Sequence, residues 1–190
     1  EKLNIGKAEL IVRGFDRANL FFSVVKGVDK DDFIEEYIEK NIEKSGIIYC
    51  ATRKECDRLE EFLSKKGINC GKYHAGMSDN QRKEMQEKFV YDELKLIAAT
   101  NAFGMGIDKS NVRYVIHYNM PKDLESYYQE AGRAGRDGSE AECILLYSAR
   151  DIMIQKFLIE NSDMETTREL INHKLAKLQD MADYCNTSKC

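Results

Sequence analysis

No phosphate loop of the form GxxxxGK[ST] occurs in the 190 residues. The nearest stretch, IGKAEL at residues 5–10, lacks both the leading glycine and the hydroxyl residue such a loop uses to cradle phosphates and reach a metal. No aspartate–glutamate pair closes a strand-like segment, so Mg²⁺ has no evident holder. No apolar run is long enough to span a bilayer, and no stretch reads as a signal peptide, which points away from a membrane. There is no basic excess either: 29 Lys and Arg face 33 Asp and Glu, a net charge of −4 at pH 7. A nucleic-acid surface, if there is one, must therefore be a local patch. The six cysteines, at 50, 56, 70, 143, 185 and 190, form no CxxC pair. The first four sit in apolar segments and read as buried, reduced, small hydrophobes, as in a reducing cytosol. Cys185 and Cys190 alone are a weak metal signal. A chain that begins at Glu1 is expected to be a piece of something longer.

The length fits one domain, or one domain and a small appendage, able to bury about 70% of the surface its unfolded chain exposes. There are no repeats and no low-complexity linker. Short apolar strands alternate with helices. AELIVRGF (8–15) and LFFSVV (20–25) read as opening strands. The stretch 29–46 carries Phe33, Ile34, Tyr37, Ile38 and Ile42 on one helical stripe, with Gly46 as its stop. GIIYC is a strand; Thr52 caps a helix that ends at Gly67, with Cys56, Leu59, Phe62 and Leu63 inward. NCGKY is a strand, and Ser78 with Gln81 has capping-box spacing for a helix whose core face is Met85 and Phe89. LKLIAAT, RYVIHY and ECILLYS are strands; KDLESYYQEAG and ARDIMIQKFLIEN are helices. Such alternation predicts an α/β fold, a parallel sheet covered on both faces by helices. From Met164 the pattern is purely helical, which places a boundary near 161–164: a domain over 1–161 and a short helical extension over 162–190.

In such a sheet, function gathers at the carboxyl ends of the strands. Thr52 and Arg53 open a helix there, and free N–H groups at a helix start suit a phosphate; taken alone, a capped helix with an exposed arginine is the better explanation. His74 and Gly76, in KYHAGM, follow a strand, where His74 is exposed by position; a lone loop histidine is more often structural. ATNAFGMGID (99–108) holds Thr100, Gly106 and Asp108 in a strand-to-loop turn suited to a sugar-phosphate, or to nothing more than a turn. SYYQEAGRAGRDG (126–138) is more specific. Its helix should fail between Gly132 and Gly135. Arg133 and Arg136 then stand on permissive backbone, reaching for something negative or forming a solvated ion pair.

In this order, FDRANL (15–20), IIYCATRKECDRL, YHAGMSDNQRKEMQEKF, IAATNAFGMGIDKSNVRYVIHYNMP and YYQEAGRAGRDG resemble the second RecA-like domain of RecQ-family DNA helicases, with Ala18 where proline is usual. The resemblance covers nearly the whole chain. It implies a RecA-like sheet in an ATP-dependent 3′–5′ DNA helicase acting in repair and recombination. ATP and Mg²⁺ would bind in a cleft shared with a first RecA-like domain of the same chain, which carries the phosphate loop. It makes Arg136 and Arg133 the catalytic arginines, Arg136 nearer the γ-phosphate, with Gln129, Gly106 and Asp108 also lining the cleft, Asp108 near the ribose. Thr52, Arg53, His74 and Gly76 would hold the backbone of single-stranded DNA or of DNA junctions, and Thr100 would link that surface to the cleft. MADYCNTSKC resembles the start of the family's zinc-binding region, with Cys190 as the first of four ligands and no complete zinc site here. The implied location is the nucleoid of a bacterium or a eukaryotic nucleus. Two rivals are an RNA helicase of the same superfamily and a non-catalytic binding module.

Overall fold

The computed structural model describes residues 17–104, 107–161 and 167–187. The apolar segments form six strands, β1 (Leu20–Lys26), β2 (Ser45–Tyr49), β3 (Cys70–Tyr73), β4 (Leu96–Ala99), β5 (Val112–His117) and β6 (Ala141–Tyr147). Between and after them run α1 (Lys30–Lys40), α2 (Arg53–Lys65), α3 (Asp79–Val90), α4 (Leu124–Ala131), α5 (Ala149–Glu160) and α6 (Arg168–Asn186). The strands make one parallel sheet in the order β1-β6-β5-β2-β4-β3. From β2 the chain crosses to β3 at the far edge, returns to place β4 between them, then passes to the other side of β2 to add β5 and β6. The carboxyl edge between β2 and its neighbours is therefore where loops of opposite direction meet. The expected strand at 8–15 lies outside the described residues.

Side chains alternate across the sheet, as the period of two requires. Ile48, Ala98, Tyr114, Ile116 and Ile144 face Ile34 and Ile38 of α1 and Cys56, Leu59 and Leu63 of α2. Their chain neighbours Ile47, Ile97, Val115 and Cys143 face the other way, against Phe89 of α3 and Ala131 of α4. A sheet buried on both faces explains why these strands read as unbroken apolar runs. The local helix signals act as expected. Thr52 Oγ1 accepts from the Glu55 amide at 3.1 Å, Gly67 follows α2 at φ +78°, and Ser78 and Gln81 close a capping box.

The first helix is shorter than its apolar stripe suggests. It stops at Lys40, capped by Asn41, whose side-chain amide donates to the Tyr37 carbonyl at 2.9 Å. Ile42 is consequently exposed, and Gly46 ends no helix: it lies in β2 under the buried ring of Tyr114, which a Cβ there would penetrate. Glycine is needed at this position for close approach, not for a turn.

α6 packs on the domain. Leu178, Met181, Ala182 and Cys185 join Met120, Tyr127, Leu145 and Ile159 in a third apolar cluster. Of the expected boundary near 161–164, only Asn161 lies within the described residues. Cys50, Cys56, Cys70, Cys143 and Cys185 are buried and unpaired. Burial pushes their thiols up, to about 12 for Cys56 and Cys143 and about 11 for Cys185, so they stay protonated at neutral pH.

Gly46→Ala should overpack the β2–Tyr114 contact and cost about 1–3 kcal/mol. A fall in the urea midpoint at unchanged m-value checks this; an unchanged midpoint would show that Tyr114 can move aside.

Candidate functional site

α4 is capped by Asp123, which accepts from the Ser126 amide at 2.6 Å, and it ends at Gly132. The chain then turns through Gly135 and Gly138, both at positive φ where glycine is the residue without strain. This delivers Arg133 and Arg136 to the segment that follows β4. Arg133 Nη1 donates to the Gly104 carbonyl at 2.6 Å, and Arg136 Nη1 donates to the Ile107 carbonyl at 2.8 Å. Arg136 also pairs with Asp108 at 3.4 Å, an ion pair whose acid is 93% exposed and which is therefore worth about 1 kcal/mol at most. Arg133 lies across Gly104, where a Cβ would come within 2.6 Å of Nη2, and its buried Nε has no partner. The segment is anchored in turn by Tyr49, whose hydroxyl donates to the Phe103 carbonyl at 2.8 Å. Burial pushes that phenol's pKa up, so it remains a donor.

The backbone carrying the two arginines is not permissive. Arg17 donates to the carbonyls of Gly132, Ala134 and Gly135, and Asn19 to those of Gly135 and Ser139. The Gly135 amide donates to the Val112 carbonyl at 2.9 Å. Arg113 pairs with Asp137 and holds its carboxyl down at about 2, so the pair is charged at neutral pH. Sequence reasoning passed over Arg17, Asn19 and Arg113, because their partners lie far away in the chain. Gln129 is exposed on α4, one turn ahead of Arg133; Gly106 lies outside the described residues.

A second cluster forms at the ends of β2 and β3. His74 is buried there, not exposed, because its ring is held at both nitrogens. The Gly76 amide donates to Nδ1 at 3.1 Å, which makes Nδ1 the acceptor and leaves Nε2–H to donate to Asp57 at 3.1 Å. Burial alone would raise the pKa of Asp57. Hydrogen bonds from Lys72 and His74 outweigh it and hold the carboxyl below its usual range. A Cβ on Gly76 would lie 3.1 Å from His74 Nδ1 and 3.3 Å from Arg53 Cδ, so Arg53, His74 and Gly76 share one patch beside the Thr52 cap. Thr100, also buried, donates its amide to the Tyr73 carbonyl at 3.0 Å. One segment, 100–108, thus touches both clusters: Thr100 against β3, then the Gly104 and Ile107 carbonyls under the arginines.

Two further features gave no local sequence signal. His117, buried, is paired through Nε2 with Glu130 at 2.9 Å and stacks on Tyr49. A cavity of about 420 Å³ opens beside it, bounded by Asn119, Met120, Gln155 and, on α6, His173 and Lys177. Among the described residues no three His, Cys, Asp or Glu side chains are placed to hold a metal; Cys190 lies outside those residues.

Residues 29–138 match the family of the helicase conserved C-terminal domain. The chain is 54% identical over its whole length to the ATP-dependent DNA helicase RecQ of Bacillus subtilis, and 39% identical over 99% of its length to the ATP-dependent helicase SGS1 of Saccharomyces cerevisiae. It spans 32% of the first protein and 13% of the second. In fold it is similar to Saccharomyces cerevisiae Dbp5 bound to RNA and ADP BeF3, with a TM-score of 0.61 at 23% identity, over 83% of this chain and 45% of that one.

The ring-nitrogen NMR shifts of His74 should report the Nε2–H tautomer, and the Gly76 amide should be protected from exchange. An Nδ1–H tautomer would refute the arrangement. Asp57→Ala should cost about 1 kcal/mol, the low end for leaving a buried donor unpaired, because Asp57 is itself half-exposed.

Proposed function

Because the chain belongs to the helicase conserved C-terminal domains, on their RecQ branch, we propose that it is the second motor domain of an ATP-dependent 3′–5′ DNA helicase of repair and recombination. Its arginine pair would complete a nucleotide site on a first RecA-like domain elsewhere in the same protein. The observation that carries this reading is the seating of Arg133 on the Gly104 carbonyl and of Arg136 on the Ile107 carbonyl. Two guanidiniums fixed by the backbone, one of them at the surface, are preorganised for an anion that arrives from outside. The exposed ion pair of Arg136 with Asp108 contributes too little to folding to account for that arginine.

When bound in the closed cleft, ATP supplies the phosphoryl group and Mg²⁺ neutralises part of its charge. This chain's residues then act as follows. Arg136 stabilises charge that develops on the γ-phosphate oxygens, and its planar fork suits that geometry better than a lysine would. Arg133, half-buried beside it, binds phosphate or couples the domains. Gln129, Gly106 and Asp108 line the same cleft, with Asp108 toward the ribose. Because the arginines are useful only when the domains meet, hydrolysis depends on closure. Arg53, beside the Thr52 cap, holds single-strand phosphates without reading bases, while the buried His74, bonded to the Gly76 amide, shapes the turn beside it. Thr100 begins the segment that ends under the arginines, so a strain at the DNA patch has a short covalent route to them. This chain alone does not hydrolyse ATP, since it has no phosphate loop. The stretch 162–190 opens a further unit in which Cys190 binds zinc with ligands outside this sequence. The protein works where DNA is, in a nucleoid or a nucleus, and no described helix is long and apolar enough to cross a membrane.

In the intact protein Arg136→Ala should lower kcat of DNA-stimulated hydrolysis by about 10³ to 10⁵, about 4–7 kcal/mol, while single-strand binding stays near wild type. Retention of more than about a tenth of kcat would remove the assignment. RNA in place of DNA should stimulate poorly; equal stimulation would favour the RNA-helicase reading. Single-strand affinity should fall with salt at about −0.7 per neutralised phosphate, and Arg53→Ala should flatten that slope. A slope left unchanged would place the DNA track elsewhere.

A further inference from the structure

We infer that Arg17 is a positioning residue for the arginine pair: its guanidinium sets the backbone that presents Arg133 and Arg136, without itself meeting nucleotide. The inference rests on the nucleotide-facing reading of that pair.

The last carbonyls of any helix lack intrahelical partners and carry negative partial charge. α4 has no basic residue in its own last turn to answer them. Arg17, 115 to 118 positions earlier in the chain, answers the cap carbonyl of Gly132 and two carbonyls of the turn that follows. Its Nη1 donates to the Gly132 carbonyl at 2.7 Å, and its Nη2 to those of Ala134 at 3.0 Å and Gly135 at 2.5 Å. These three carbonyls bracket Arg133 and immediately precede Arg136. Water could satisfy carbonyls one by one. A planar fork of fixed geometry does more, because it sets the three relative to one another.

Asn19 extends the same grip. Its amide donates to the Gly135 carbonyl at 2.9 Å and the Ser139 carbonyl at 2.8 Å, and its own carbonyl accepts from Ala141 at the start of β6. Gly135 sits so close that a Cβ would meet Asn19 Nδ2 at 2.5 Å. Ala18, between the two, is exposed, so the alternate side chains of 17–19 reach the loop while the middle one does not. The arginine pair is therefore held twice, by separate groups. Arg17 and Asn19 hold its backbone; the carbonyls of Gly104 and Ile107 hold its side chains. A guanidinium must meet phosphoryl oxygens within a fraction of an ångström, so loosening the first grip is felt at Arg136 even when the second remains.

The test uses the intact protein with Arg17→Lys, Arg17→Gln, Arg136→Ala and the double variant Arg17→Lys with Arg136→Ala. Lysine keeps positive charge at the helix end but cannot bridge three carbonyls. Both Arg17 variants should lower kcat of DNA-stimulated hydrolysis by about 10- to 100-fold, the scale of a 1 Å misplacement, with the ATP KM and single-strand affinity changed less than about threefold. Hydrogen exchange of the Gly135 amide should quicken in Arg17→Lys. The double variant should be no slower than Arg136→Ala, since a residue acting only through Arg136 has nothing left to position. The inference is overturned by kcat within about twofold of wild type in Arg17→Lys, by multiplicative losses in the double variant, or by failure of both Arg17 variants to fold. If Arg136→Ala is itself active, the nucleotide reading falls and this inference with it. If Arg136→Ala is inactive while Arg17→Lys is normal, this inference alone falls.

Discussion

Two hydrogen bonds, from Arg133 to the Gly104 carbonyl and from Arg136 to the Ile107 carbonyl, set the geometry on which the site depends. They require that the turn after β4 and the turn after α4 come together at one edge of the sheet. That in turn requires the strand order in which β2 is flanked by β4 and β5, with β6 carrying the chain back toward β1. A sheet with the same strands in another order would part the two turns. Gly104 is small for the same reason: Arg133 lies where its Cβ would be.

The polar groups around this junction are matched nearly one to one, as burial demands. Arg17 and Asn19 answer the carbonyls of the Gly132 cap and of the turn after it, Tyr49 answers Phe103, and Arg113 answers Asp137. At the other cluster the imidazole of His74 is held at both nitrogens, which fixes its tautomer as well as its place. Hydrogen-bonded networks of this kind contribute modestly to net stability but leave few alternative conformations, because any slip buries an unpaired donor or acceptor. The surface cations beside them, Arg53 and Arg136, are the ends left toward solvent. Such a division, fixed backbone and exposed charge, is what an incoming phosphate chain or nucleotide would need.

The exceptions are instructive. Among the described residues Arg133 Nε, His117 Nδ1 and the Tyr127 hydroxyl are buried with no partner. All three lie on or near α4, whose Glu130 pairs with His117 and whose end leads into Arg133.

Much of this was legible from the residues themselves, wherever cause and effect lie within one turn of chain. Thr52, the Ser78–Gln81 box, the end of α4 at Gly132 and the alternation of Ile47 with Ile48 are of this kind, since capping bonds, glycine freedom and strand period act locally. The overlong first helix shows the limit: the stripe continued to Ile42, but Asn41 capped the helix and Gly46 was claimed by Tyr114, a residue of another strand. His74 shows it again, exposed by position yet buried by Asp57 on a neighbouring helix. The arginine pair itself could be read from its glycine-rich setting. Its anchoring could not, because Arg17, Arg113 and the carbonyls of Gly104 and Ile107 are distant in the chain. Local preference and period determined which segments are helices and strands and which residues are candidates. Tertiary packing alone decided that the candidates form two clusters joined by one segment, because only the folded sheet brings those donors and acceptors within hydrogen-bond reach.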